Sequence, residues 1–318
     1  MSVYTNGVFR PAHTGYLTYA TQAAALNAVD AVGAAAAVAG LTTPVGICDF
    51  PQMTQNDNVQ PAQGISSPQA DAEILGRREV NANVRLQVAS SAFVAGAFRN
   101  KTDPDAAGLV NGLQLFTLEA GSETAYGDGM ADQLLDCLFN SLRLEFAENQ
   151  PLTATADVWG ICKVPNDTPQ ADVDVSALTD LFLWQHLTWM SGGVDYKPIL
   201  SRGSFGVNNN LERIGSRPQI GARGSENALS RCAYSLKPHK EMLQLQLSLR
   251  DELPSSISSN LGPWYFKWTN PNNSTWLQIA LDNVYINRAG STDSNANSLI
   301  NYTVDFATHN TTAIVTAG

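Results

Sequence analysis

The chain has 318 residues, of which 44% are hydrophobic and only 15% charged. That balance excludes a disordered chain and allows a sizeable core, more naturally in two domains than in one. The formal net charge of −10 argues against broad affinity for nucleic acid, which needs cations.

Residues 1–45 form an Ala-rich arm. Its most apolar stretch, "AAALNAVDAVGAAAAVAG", is interrupted by Asn27, Asp30 and Gly33 and is too weak for a membrane span. No basic segment precedes it, so it does not read as a signal peptide, and no membrane anchor is expected. Tyr19 to Val38 has helical propensity, and an arm that orders on a neighbour is an equal reading. Residues 46–79, rich in Gln, Asn, Pro and Gly, read as a long loop.

Strands then accumulate. Asn81 to Val88 turns Ala82, Val84, Leu86 and Val88 to one side. A short helix is expected around Ala92 to Phe98 or within "GMADQLLDCLF", and "GLQLFTLEAG" reads as a strand. The most regular segment is "SLRLEFAENQPLTATADVWG", Ser141 to Gly160. Leu142, Leu144 and Phe146 alternate with Ser141, Arg143 and Glu145; Leu152, Ala154, Ala156 and Val158 alternate with Thr153, Thr155 and Asp157. Period-two alternation on both sides of a Glu-Asn-Gln-Pro turn predicts a hairpin with one buried and one wet face.

Pro165 to Asp174 is the best linker, and residues 165–179 divide the chain into units 46–164 and 180–318. Beyond it "LFLWQHLTWM", "PILSRGSFGV", "MLQLQLSLR", "PWYFKWT", "WLQIALDNVYI" and "INYTVDFAT" read as strands, and "ELPSSISSNLG" as a short helix. Asn208 to Pro238 is a second long polar loop. It carries the only basic cluster, with Arg213, Arg217 and Arg223 beside Ile214 and Ile220. An arm that meets a neighbouring subunit and a solvated loop are both open there. Each half offers a polar loop, an alternating strand, an apolar strand and a closing hairpin, at Leu142–Val158 and Leu277–Phe306. The fold class is mainly β, two tandem sandwich or barrel domains, each with room for one short helix.

Motifs for chemistry are missing. The four histidines are isolated, the four cysteines form no C-x-x-C, and the Walker, Rossmann and nucleophile-elbow patterns do not occur. "YGDGMAD" lacks the far acid of a calcium loop and reads as a turn. We therefore expect no catalytic residue, no metal and no cofactor.

The stretch "FTLEAGSETAYGDGMADQLLDCLFNSLRLEFAENQPLTATADVWG" resembles the tail tube proteins of long-tailed bacteriophages, with a strand, a turn and a hairpin in the family's order. "GSFGVNNNLERIGSRP", "LQLQLSLRDE" and the closing "LQIALDNVYI…NYTVDFAT" resemble its later segments, and the likeness runs from about Gly46 to Thr308. The turn departs from the family pattern, with Asp136 to Leu138 in place of Gly-Cys.

The resemblance implies a virion tail protein, made in the host cytoplasm, whose rings stack into the tube that DNA leaves through. Its partners would be copies of itself and other tail proteins, without specific binding to DNA. Relatives with two tube-like domains per chain imply a homotrimeric ring of pseudo-sixfold symmetry. The hairpins would join into one inner barrel between subunits. Arg143, Glu145, Thr153, Thr155 and Asp157 would then line an acidic channel, and Arg213, Ile214, Arg217, Ile220 and Arg223 would contact a neighbour. Two other classes stay open: another self-assembling β protein (sheath, fibre or capsid decoration), and a carbohydrate-binding β module that stacks sugars on its six tryptophans.

Overall fold

The computed structural model describes residues 15–25, 41, 43–48, 51–56, 60–62, 72–75, 79–122, 131–166, 180–214, 219–221, 235–250, 263–282, 285–292, 301–307 and 312–318. It is mainly β, and among these residues there is one α-helix.

One antiparallel sheet positions the site. Its strands are β1 (Gly46–Cys48), β2 (Gln52–Asn56), β3 (Glu79–Val88), β4 (Ala131–Ala147), β5 (Thr153–Gly160), β6 (Leu200–Asn208), β7 (Met242–Leu249), β8 (Tyr285–Thr292) and β9 (Asn301–Ala307). β1 and β2 act as one interrupted strand along β3. Across the sheet the order is β1/β2–β3–β5–β4–β6–β7–β9–β8.

This order contains a repeat. Numbering the strands within each half by sequence, the first half runs first, second, fourth, third (β1/β2, β3, β5, β4). The second half runs first, second, fourth, third as well (β6, β7, β9, β8). The halves join where β4 pairs antiparallel with β6, Ser141 opposite Asn208 through Ala147 opposite Arg202. The sheet stays open. Among the described residues, β8 pairs only with β9, and β1/β2 only with β3.

β4 serves two layers. Its first turn of pairing, Ala131–Cys137, lies between strands Phe116–Ser122 and Cys162–Asn166. Its second part pairs with β5 and β6. The bend falls at Asp136, with φ of +51°, and at a register shift between Phe139 and Ser141. Asp tolerates the left-handed region better than most residues. The segment "GMADQLLDCLF" is thus strand rather than helix from Ala131 on: both edges of the chain there find strand partners.

The apolar face of the sheet packs on a second sheet, Leu187–Ser191, Val194–Asp195, Trp264–Thr269, Trp276–Asp282 and Thr312–Ala317. Phe146 of β4 meets Trp268 edge-on at 5.4 Å, and Trp189 stacks on Phe266 at 5.7 Å. The helix α1 (Ser91–Ala95) falls where expected, capped by the Ser90 hydroxyl accepting from Phe93 N. It brings Phe93 against Phe116 and Phe139. One hydrophobic cluster runs through both halves, from Leu17 to Leu281.

Four expectations shift. Tyr19 to Thr21 belong to strand Gly15–Thr21, not to a helix, because Phe116–Ser122 offers them a ladder. The polar segment 46–79 contains strands, since backbone pairing to β3 does not require apolar side chains. Leu277 belongs to the second sheet, so the closing hairpin is β8–β9. Pro165 and Asn166 are still strand, paired with Asp132 and Ala131, so any linker starts after them. The stretch "ELPSSISSNLG" and most of the Ala-rich arm lie outside the described residues.

Candidate functional site

From β3 to β7 the face of this sheet turned away from the core is largely open to water. In an antiparallel ladder, residues directly opposite each other share a face. The register therefore lays the side chains out in rows. One row is Asn83, Asp157, Ser141, Asn208 and Met242; the next is Arg85, Thr155, Arg143, Gly206 and Gln244; a third is Gln87, Thr153, Glu145, Ser204 and Gln246. None of these residues is buried, whereas the alternating Leu142, Leu144, Phe146, Ala154, Ala156 and Val158 are all at most 3% exposed. The hairpin predicted from Ser141 to Gly160 is present, with its register fixed as Arg143 opposite Thr155 and Glu145 opposite Thr153.

The five polar hairpin residues thus share one exposed face, but they are not equivalent. Arg143 and Glu145 form an ion pair at 3.0 Å, both more than half exposed. Thr153 donates to the Glu145 carbonyl oxygen at 3.3 Å. Asp157 accepts from Asn140 Nδ2 at 2.8 Å and from Trp159 Nε1 at 3.1 Å, so its charge is held by the rim of the hairpin. Arg202, one row beyond Glu145, donates through Nε to Ser248 Oγ at 3.2 Å.

Sequence reasoning missed Arg85, Arg202, Gln244 and Gln246 as members of this face. The alternation in β3 and β7 exposes the side of Arg85, Gln244 and Gln246, but only the pairing shows that it is the hairpin's side, and that Arg202 of β6 joins it. Their inclusion adds cations and amides to the acids expected from the hairpin. Among the residues whose side chains are described, the face carries Arg85, Arg143 and Arg202 beside Glu79, Glu145 and Asp157, so charges of both signs stand among its amides. Two open depressions, of 420 and 490 Å³, lie between β4, β6 and β7 where Gly203, Ser204 and Gly206 leave space.

The second group of candidates separates. Leu211–Ile214 pairs with Ser235–Pro238, and Leu211 and Leu236 enter a small core with Leu113, Leu115 and Leu138. This folds Arg213 back onto its own chain. Its guanidinium lies 3.9 Å from the Trp159 ring centre, and Nη2 donates to Val80 O at 3.3 Å. Arg213 is therefore engaged at home rather than held out as an arm. Ile214 is exposed. Ile220 falls in strand Gln219–Gly221, paired with Ala72–Leu75 from the other long loop of the same chain. Arg217 and Arg223 lie outside the described residues.

The tryptophans offer no sugar platform. Trp189, Trp264 and Trp268 are fully buried. Trp159, Trp184 and Trp276 are covered by Arg213, Lys197 and Lys267. Cys137 is buried as well, and burial pushes its thiol well above the usual range, as for a core residue. Among the described residues no group of His, Cys, Asp and Glu is arranged to hold a metal, and no helix is long and apolar enough to cross a membrane.

A broad wet sheet face, backed by a core and ending, among the described residues, in two unpaired edges, fits a structural protein built from sheet. The family model for the phage tail tube protein matches residues 12–233. The chain belongs to that family and is a structural protein of the bacteriophage tail. No curated protein matches it.

Proposed function

We propose that the chain is the repeating subunit of the tail tube, that three copies close a ring through their free sheet edges, and that the wet face lines a channel for DNA. One observation carries this reading: the two halves have the same strand order, and they are already joined edge to edge by β4 and β6. In the repeat, β8 occupies the place of β4, and β1/β2 the place of β6. The β4–β6 join is then the template for a join between β8 of one copy and β1/β2 of the next. Strand directions agree, because eight alternating strands per copy bring an antiparallel partner to each edge. Closure removes the exposed edges that otherwise aggregate.

Geometry favours three copies. Strands spaced by about 4.8 Å and tilted by about 40° give a barrel of about 24 strands a backbone diameter of roughly 48 Å, enough for a duplex after side chains are subtracted. Six copies would double that width. Each half, 46–164 and 180–318, would act as one tube-like domain, which gives the ring its pseudo-sixfold symmetry. Stacked rings and neighbouring tail proteins would complete the tube. The exposed Ile214 and the paired loops around Ala72–Leu75 and Gln219–Gly221 are candidates for ring-to-ring contact.

Native mass measurement of isolated rings, with electron microscopy of the purified chain, tests this. Rings of three copies and hollow tubes are expected. Solid fibres would favour the fibre reading, and rings of six would discard the edge-to-edge template.

A further inference from the structure

We propose that Arg85 and Arg143 form a belt on the wet face that makes transient contacts with the phosphates of a passing duplex; the assignment to the channel rests on the reading above. The two arginines lie in one cross-strand row, each opposite Thr155, one on either side of it. Both are exposed. Among the described residues no carboxylate lies within ion-pair distance of Arg85. Arg143 holds Glu145, but that pair is solvent-exposed, with side chains 59% and 52% accessible. Such pairs contribute little and are screened by salt, so a phosphate can displace the carboxylate. Guanidinium is suited to that exchange, since its fork matches two phosphate oxygens at once.

The row continues into Gly206, where no side chain stands. The 420 Å³ depression there brings Arg143 together with the donors of Ser204, Asn208, Gln244 and Gln246. Arg143 also borders the 490 Å³ depression, which Arg202 and Ser248 line from the far side. Of the two carboxylates in the three central rows, Asp157 already accepts from Asn140 and Trp159. Arg85 is thus a cation with no carboxylate partner among the described residues, although the whole chain carries −10. Contacts so few and so dispersed give weak, sequence-independent affinity, which permits sliding.

The test uses the purified full-length chain, kept below the concentration at which it stacks, and a labelled 20-base-pair duplex of mixed sequence (about two turns). Anisotropy is followed from low to physiological salt. The wild type should bind weakly at low salt and lose binding as salt rises. The R85Q/R143Q double variant should bind at least about tenfold more weakly, with a salt slope shallower by about two. Lys267→Gln, on the second sheet, should match the wild type. No binding by the wild type at low salt, or equal binding by the double variant, overturns the belt. Electron microscopy of the same proteins keeps the two readings apart. Rings without duplex binding sink the belt and leave the tube. Duplex binding lost in the double variant, but without rings, supports the belt and removes its place in a channel.

Discussion

Gly203 and Gly206 lie three residues apart in β6, on opposite faces, and their environments differ sharply. A Cβ at Gly203 would stand 2.5 Å from Phe146 Cζ and 2.8 Å from Leu247 Cδ2. Both neighbours are buried and backed by the core, so neither can yield cheaply. At Gly206 the nearest atom is the Gln244 Cβ at 3.7 Å. Gly203→Ala should therefore destabilise the chain by about 1–3 kcal/mol through overpacking, while Gly206→Ala should be neutral within about 0.5 kcal/mol. Urea midpoints at constant slope would check both. Equal midpoints for the two variants would mean that Phe146 does not pack on β6 as described.

At the scale of elements, the hairpin Leu211–Ile214 with Ser235–Pro238 shows how one contact sets the path of a loop. Two leucines drop it into a small core, and Arg213 then closes over Trp159. A stacked, partly desolvated guanidinium is worth about 1–2 kcal/mol. Arg213→Ala should lower stability by about that amount, and Arg213→Lys should recover only part of it, because an ammonium does not stack as a plane. A double-mutant cycle with Trp159→Leu isolates the term. A coupling energy near zero would return Arg213 to the role of a solvated or intersubunit residue. Much of this element was hidden in the sequence. "NNLERIGSRPQIGARGSENALSR" has no alternation long enough to mark a strand, and its partner lies more than twenty residues away.

At the scale of the molecule, the ladder makes the wet face continuous from β3 to β7, so a change in one hairpin alters a wall rather than a patch. Glu145 is the carboxylate least committed to the hairpin, since Asp157 has two donors of its own. Glu145→Lys should leave folding and assembly intact, because an exposed substitution costs no more than about 0.5 kcal/mol. If the face lines the channel, the variant should slow DNA release at low salt and approach the wild-type rate as salt rises. Particles carrying it that eject DNA at the wild-type rate at low salt would show that this face lies elsewhere.

By itself the sequence determined the alternation. Every polar residue predicted for the outer side of the Ser141–Gly160 hairpin is on it, and every apolar one is in the core, because a period of two leaves only two faces. It also determined the class, since strands predominate and one short helix stands near Phe93. The tertiary structure alone decided which strands are neighbours. Pairing of β4 with β6, of β2 with β3, and of the two long loops with each other depends on backbone hydrogen bonds, which carry no signature in side-chain type. For the same reason the charge of the face could not be read from one hairpin. Arg85 and Arg202 enter it from strands 58 and 59 residues away from Arg143, brought there by the ladder.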